Sequence, residues 1–129
     1  MLATLHTQSA AQTIDRVIDI FPPHQQQEIR AQLSTALQGV VTQALARRID
    51  GTGRTVICEV MFATAAIRNL IREGKNHQIP SFMQSSGADG MLTFDQHLAH
   101  RVQEGLIRYE QALDLCHAVE EFKRLAGKA

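Results

Sequence analysis

The sequence contains no tryptophan, one tyrosine and five phenylalanines, so a core must be built almost wholly from aliphatic side chains. It has two cysteines, Cys58 and Cys116, far apart and without a Cys-x-x-Cys pair. That excludes a disulfide framework and leaves two reduced thiols serving as small core residues. Charge of one sign is also missing: 13 Lys and Arg balance 13 Asp and Glu, and no net field draws the chain to nucleic acid or an anionic surface. No apolar run approaches the roughly 20 residues of a membrane span. The opening Met-Leu-Ala-Thr-Leu-His lacks the form of a signal peptide, so the expectation is a cytoplasmic chain with no membrane span. There is no phosphate loop either. Gly74-Lys75 is followed by Asn76 and has Asn69 where G-x-x-x-x-G-K-[ST] needs its first glycine, and Gly127-Lys128 is followed by Ala129 with Phe122 in that place. Ser, His and Asp are present singly, with no G-x-S-x-G turn to expose a nucleophile, and no hydrolase triad is found.

What is present suits a globular domain, at 44% hydrophobic and 20% charged residues. Its most specified stretch is residues 65–75. Thr64 caps a short helix there and Gly74 ends it in the left-handed conformation. Ala66, Ile67, Leu70 and Ile71 form one apolar stripe, with Arg68 and Arg72 four apart on one edge and Asn69 and Glu73 on the other. Two arginines at that spacing repel by roughly 0.2–0.5 kcal/mol on an isolated helix, which suggests anionic partners elsewhere; the plainer reading is an ordinary surface helix.

In chain order, residues 1–5 read as a buried strand, as though the chain entered mid-sheet. Ser9-Ala-Ala-Gln12 is a capping box opening a helix with Ile14, Val17, Ile18 and Phe21 on one face, stopped by Pro22 and Pro23. A second helix spans residues 24–38 with Ile29, Leu33 and Leu37 inward and Gly39 as its stop. Residues 40–49 and 54–61 are strand-like and joined by Asp50-Gly51-Thr52-Gly53, a hairpin signal. Glu59, the one charge inside the second strand, is expected to face solvent or pair with Arg47 or Arg48. Pro80 starts a helix over residues 79–85, residues 87–90 are a loop, and Thr93-Phe-Asp-Gln96 is a second capping box. Its helix has Phe94, Leu98 and Val102 inward and ends at Gly105. Two short helices cover residues 110–117 and 119–126, the last burying Val119, Phe122 and Leu125. The pattern predicts a helix-rich α/β fold with few strands.

His6 precedes the Ser9 cap, with Thr4, Thr7 and Ser9 around it, in a turn where backbone N–H groups point at any bound anion. Such a histidine suits sensing a phosphate or polarising water, the alternative being a solvated ring. Arg16 either faces the same place or pairs with Asp15, Asp19 or Asp50. His97 and His100, at i,i+3 near Asp95, invite a metal reading, but no H-E-x-x-H or cysteine pair supports it and His117 is unconnected, so no metal is expected.

The stretch Thr4-Leu-His-Thr-Gln-Ser-Ala-Ala-Gln-Thr-Ile-Asp-Arg16, with Ile18-Asp-Ile-Phe-Pro22 after it, resembles the histidine box of secretion and type IV pilus ATPases. Ala66-Ile-Arg-Asn-Leu-Ile-Arg-Glu73, followed by Gly74-Lys75 and His77-Gln-Ile-Pro-Ser81, resembles the signature of the type IV pilus retraction (twitching motility) subgroup. Leu37-Gln-Gly-Val-Val41 and Gly90-Met-Leu-Thr-Phe-Asp-Gln96 also match, so the resemblance covers nearly the whole chain in order. In that family a Walker A loop, an acidic box and a Walker B strand precede the histidine box; none is present here. The resemblance implies the C-terminal portion of a RecA-like P-loop ATPase core over residues 1–62 and a helical subdomain over residues 63–129. It implies His6 as the sensor of the γ-phosphate or its water, with Thr7 and Arg16 beside the nucleotide. Ala66, Ile67, Arg68, Asn69, Leu70, Ile71, Arg72 and Glu73 would couple nucleotide state to movement in a hexameric ring. ATP and Mg are implied as cofactors of the full-length protein, none for this chain alone, which is expected to be inactive. The implied partners are copies of the ring and the inner-membrane platform of the pilus machine, with peripheral membrane association. The alternative is a free-standing interaction or regulatory module that assembles with full-length ATPases. One departure is Arg108-Tyr-Glu-Gln-Ala-Leu113, which has Arg where relatives place a capping Ser, a loss on the order of 1 kcal/mol. The paired Cys-x-x-Cys motifs of many related secretion ATPases are absent too.

Overall fold

The computed structural model describes residues 4–127. Residues 4–8 are irregular, and the rest of the strand expected over residues 1–5 lies outside the described residues. Helix α1, Ala10–Asp19, starts where expected, with Ser9 Oγ accepting the Gln12 N–H at 3.1 Å. The reciprocal half of the capping box is displaced by one residue: Gln12 Oε1 takes the Gln8 N–H at 2.7 Å. Ala10, Ile14 and Ile18 are buried. After Pro22, α2, Pro23–Ala36, keeps only Ser34 fully inside, while Ile29, Leu33 and the following Leu37 are half-buried. Gly39 is not its stop. The helix ends because Leu37 turns extended, and Gly39 opens the first strand. A glycine is needed there because a Cβ would lie 2.9 Å from the Met61 carbonyl oxygen.

Strands β1, Gly39–Arg47, and β2, Arg54–Phe62, form an antiparallel hairpin in which Gly39 faces Phe62 and Arg47 faces Arg54. Asp50 holds the turn, accepting from the Thr52 N–H at 3.0 Å and hydroxyl at 2.7 Å. Those bonds keep its carboxyl below the usual range. The sheet has two strands among the described residues, and its two edges differ. Outside β2, Leu92 exchanges backbone bonds with Val60 at 2.8 and 3.0 Å. Further along that edge, His97 Nδ1 accepts the Cys58 N–H at 2.8 Å, and Arg101 Nε donates to the Val56 carbonyl at 3.2 Å. Because directly opposite residues of an antiparallel pair aim their backbone groups either both toward or both away from each other, Val41, Gln43 and Leu45 aim theirs outward from β1. There the Gln111 amide meets Arg47 N and O at 3.2 Å, and the other three residues have no backbone partner among those described.

Helix α3, Ala65–Arg72, is capped by Thr64 and ends before Gly74 at φ +73°. A 3₁₀ turn at Asn76–Gln78 leads into α4, Ile79–Gln84, with Pro80 in its first turn. Thr93 and Gln96 make both halves of a capping box at the start of α5, Phe94–Gln103. Helices α6, Tyr109–Leu115, and α7, Val119–Leu125, complete the order, and α6 has no side-chain cap at Arg108. Phe122 is fully buried, but Val119 is 45% exposed because it stands at the first position of α7, facing away from the core. Two apolar clusters result. One joins Ala10, Ile14 and Ile18 of α1 to Met61, Ile67, Ile71, Ile79 and Met83; the other joins Ala46 and Ile57 to Leu98, Ile107, Ala112 and Phe122.

Candidate functional site

His6 is exposed in the irregular chain before α1. Thr7 is half-buried, its Oγ1 2.6 Å from that of Thr13, which in turn donates to the Ser9 carbonyl at 2.8 Å. Three backbone amides at the head of α1 that the sequence offered to an anion are engaged within the protein. Those of Gln8 and Gln12 are taken by Gln12 Oε1 and Ser9 Oγ, and that of Ala10 goes to Glu59 Oε2 at 2.6 Å. The outward groups are the His6 imidazole and, two turns along α1, the exposed Arg16 guanidinium. Arg16 forms no ion pair with Asp15, Asp19 or Asp50; Asp15 instead accepts from Asn76 Nδ2 at 2.6 Å, and Asp50 is used by its own turn and Arg48.

Glu59 contradicts the expectation of a solvent-facing or arginine-paired charge. It is 5% exposed, with Oε2 on the Ala10 N–H and Oε1 on the Phe94 N–H at 3.1 Å. Ala10 and Phe94 are the first residues of α1 and α5, so one carboxylate serves the positive ends of two helices. Arg47 and Arg48 lie near the far end of the hairpin, too distant along the strand to reach it. The strand alternation carried this signal, since Ile57, Glu59 and Met61 share one face. Asp95, also buried, repeats the device: its oxygens accept the N–H groups of His117 and Ala118 at 2.7 and 2.8 Å, just before α7. The His117 ring stacks on Phe94 with centroids 4.4 Å apart. These groups line a cleft of about 450 Å³ together with Ser9, Pro80 and Gln84.

Helix α3 buries Ile67 and Ile71 completely, while Ala66 and Leu70 are half-buried. Its two arginines part company. Arg68 Nη1 donates to the Ser34 and Thr35 carbonyls at 2.6 and 3.0 Å, satisfying the C-terminal end of α2. Arg72 is exposed and donates to Asn69 Oδ1 at 3.0 Å, its one hydrogen bond among the described residues; Glu73 pairs with Lys75 at 3.2 Å in solvent. Ala66, Asn69 and Leu70 also line a shallow groove with His77, Ser81 and Phe82. No hydrogen bond joins the His6 turn to the polar face of α3 among the described residues. The buried faces of α1 and α3 share the first apolar cluster, and the Asp15–Asn76 bond ties α1 to the 3₁₀ turn that follows α3.

Among the described residues no three His, Cys, Asp or Glu side chains cluster as metal ligands. His97 is committed to the β2 edge, and burial, aided by the Arg101 charge, holds its pKa below the ordinary histidine value. Burial likewise pushes the Cys116 thiol up.

A helix-rich unit with one hairpin is a fold that this chain shares with solved ATPase structures. Its fold matches the X-ray structure of the Legionella pneumophila ATPase DotB at a TM-score of 0.67, with 17% identity over 84% of this chain and 29% of that one. A crystal structure of the pilus retraction motor PilT with bound ADP matches at 0.82, with 41% identity over 93% of this chain and 33% of that one. In sequence the chain is 46% identical to the type IV pilus retraction ATPase PilT of Pseudomonas aeruginosa, over 95% of this chain and 35% of that protein. It is 45% identical to a twitching motility protein of Neisseria gonorrhoeae, over 87% and 30%. No protein-family profile matches. The chain is homologous to the C-terminal part of PilT-type pilus retraction ATPases, and it spans about a third of the length of these relatives.

Proposed function

We propose that this chain acts as the C-terminal part of a hexameric, PilT-like motor that retracts type IV pili. Residues 1–62 complete the ATPase core in this reading, and residues 63–129 form the helical subdomain. His6 faces the γ-phosphate or its water in the assembled ring. The observation that supports it is the exposed His6 imidazole just ahead of α1, in a chain 46% identical to a named retraction ATPase.

The residues described do not compose a cradle for ATP and Mg. No glycine-lined loop presents amides to a phosphate, and Thr7 is tied to Thr13. In this reading nucleotide holding belongs to the rest of the motor, with the exposed Arg16 beside it. Helix α3 transmits movement through Arg72 and its exposed edge, since Arg68 is engaged inside the subunit. The motor sits on the cytoplasmic side, held to the inner membrane by the pilus platform. Adding ATP to the chain alone should give neither turnover nor saturable binding, and clear turnover would refute this reading.

A second reading, a free-standing module that inserts into full-length rings, is favoured by the open β1 edge with Val41 and Leu45 exposed at 68% and 59%. Specific co-sedimentation with a full-length PilT ring would support it. A chain that stays monomeric and indifferent to the ring would count against it.

A further inference from the structure

We propose that Glu59 is a positioning residue that locks the His6-bearing turn to the helical unit α5–α7, so that a displacement at either is passed to the other. Its functional meaning rests on the reading of His6 above. The joint itself stands on geometry. Glu59 lies inside the sheet, its two oxygens are divided between the first amides of α1 and α5, and no cation shares it among the described residues. Each helix therefore has the same carboxylate as the acceptor for its leading amide. The connection extends in both directions. From Ala10 it is three residues back to the Thr7 hydroxyl and four to His6, along a turn knotted by Ser9, Gln12 and Thr13. From Phe94 the next residue is Asp95, which holds the amides ahead of α7, while the Phe94 ring is stacked on His117. A carboxylate fits this place because it offers acceptors on both oxygens. A glutamine offers one acceptor and would aim its NH₂ at an amide that can only donate. Ionised acceptors also give the shorter and stronger bonds, which makes the joint stiff.

The test is a double-mutant cycle read by NMR on the chain itself, using E59Q, T93A and both together. Thr93→Ala removes the hydroxyl that caps the Gln96 N–H of α5, leaving the Thr93 backbone bond to Gln96 Oε1, without touching α1. With Glu59 present, T93A should raise amide exchange at Ala10 severalfold and shift the His6 ring protons; with E59Q it should change neither. A T93A effect that never reaches Ala10 and His6, or that reaches them equally in both backgrounds, overturns the proposal, because a purely stabilising Glu59 gives additive effects. Thr42→Val serves as the control: Thr42 is the buried cross-strand neighbour of Glu59, and its hydroxyl has no partner among the described residues. It should leave both signals in place, and a T42V chain that moves them as E59Q does would overturn the proposal. Should E59Q not fold, couplings across the hydrogen bonds from the Ala10 and Phe94 nitrogens to the Glu59 carboxyl carbon decide the matter in the unsubstituted chain. Both couplings should be present, and T93A should weaken the one at Ala10; a missing coupling, or one at Ala10 that T93A leaves intact, refutes the joint. None of these readouts requires nucleotide, so they separate failure of the joint from failure of the ATPase reading.

Discussion

Arg68 and Arg72 stand one turn apart on the same helix and do different work. Arg68 closes the last carbonyls of α2, so Arg68→Ala should destabilise the chain by about 1–2 kcal/mol in urea unfolding, toward the low end for charged hydrogen bonds because the side chain is half-exposed. Arg72→Ala should change stability by less than about 0.5 kcal/mol. Equal losses would mean that the α2 contacts contribute nothing. The sequence showed the spacing of these arginines but not their partners, since Ser34 and Arg68 are brought together only by the packing of α2 on α3. His97 adds a pH dependence. Its folded-state pKa lies below the unfolded 6.5, so on acidification the unfolded chain takes up this proton first. The stability carried by the neutral ring is present above 6.5 and lost as pH falls through the folded value. Thermal midpoints should drop between pH 7.5 and 5.5, and His97→Asn, which keeps an acceptor near Cys58 but does not titrate, should flatten that slope.

At the scale of elements, local signals were legible where a bond closes within a few residues. The Ser9, Thr64 and Thr93 caps, the prolines before α2 and in α4, and the Asp50 turn all stand where their residues imply. Gly39 was misread because a glycine after a helical pattern suggests a stop, whereas the demand comes from Met61, 22 residues away. Gly39→Ala should therefore cost about 1–3 kcal/mol through its clash with that carbonyl, while a helix-stop glycine at negative φ would tolerate alanine. The uncapped start of α6 offers the opposite change. Arg108→Ser should stabilise by about 0.5–1 kcal/mol, measured as a higher urea midpoint at unchanged m-value, because Ser can accept an amide of the first turn.

Across the whole molecule, α1 and α3 share one apolar cluster, and α5–α7 cover the hairpin with another. Glu59 and Asp95 connect helix starts that lie dozens of residues apart in sequence. That network was the least legible part, because a buried carboxylate satisfied by backbone amides leaves no charged partner in the sequence to announce it. Strand parity alone pointed inward. By contrast the resemblance of the histidine turn and α3 was legible from their residues, since several motifs occur in one order over the chain, and one relative aligns with 95% of it at 46% identity. A chain that acts as the C-terminal third of a retraction motor should be interchangeable with the corresponding third of a full-length one. The direct measurement is ATP turnover and twitching by Pseudomonas aeruginosa PilT in which that third is replaced by this chain. Turnover and motility should survive in the chimera and fall at least tenfold on His6→Ala; a well-folded hexameric chimera that hydrolyses nothing, or one indifferent to His6→Ala, would contradict the account.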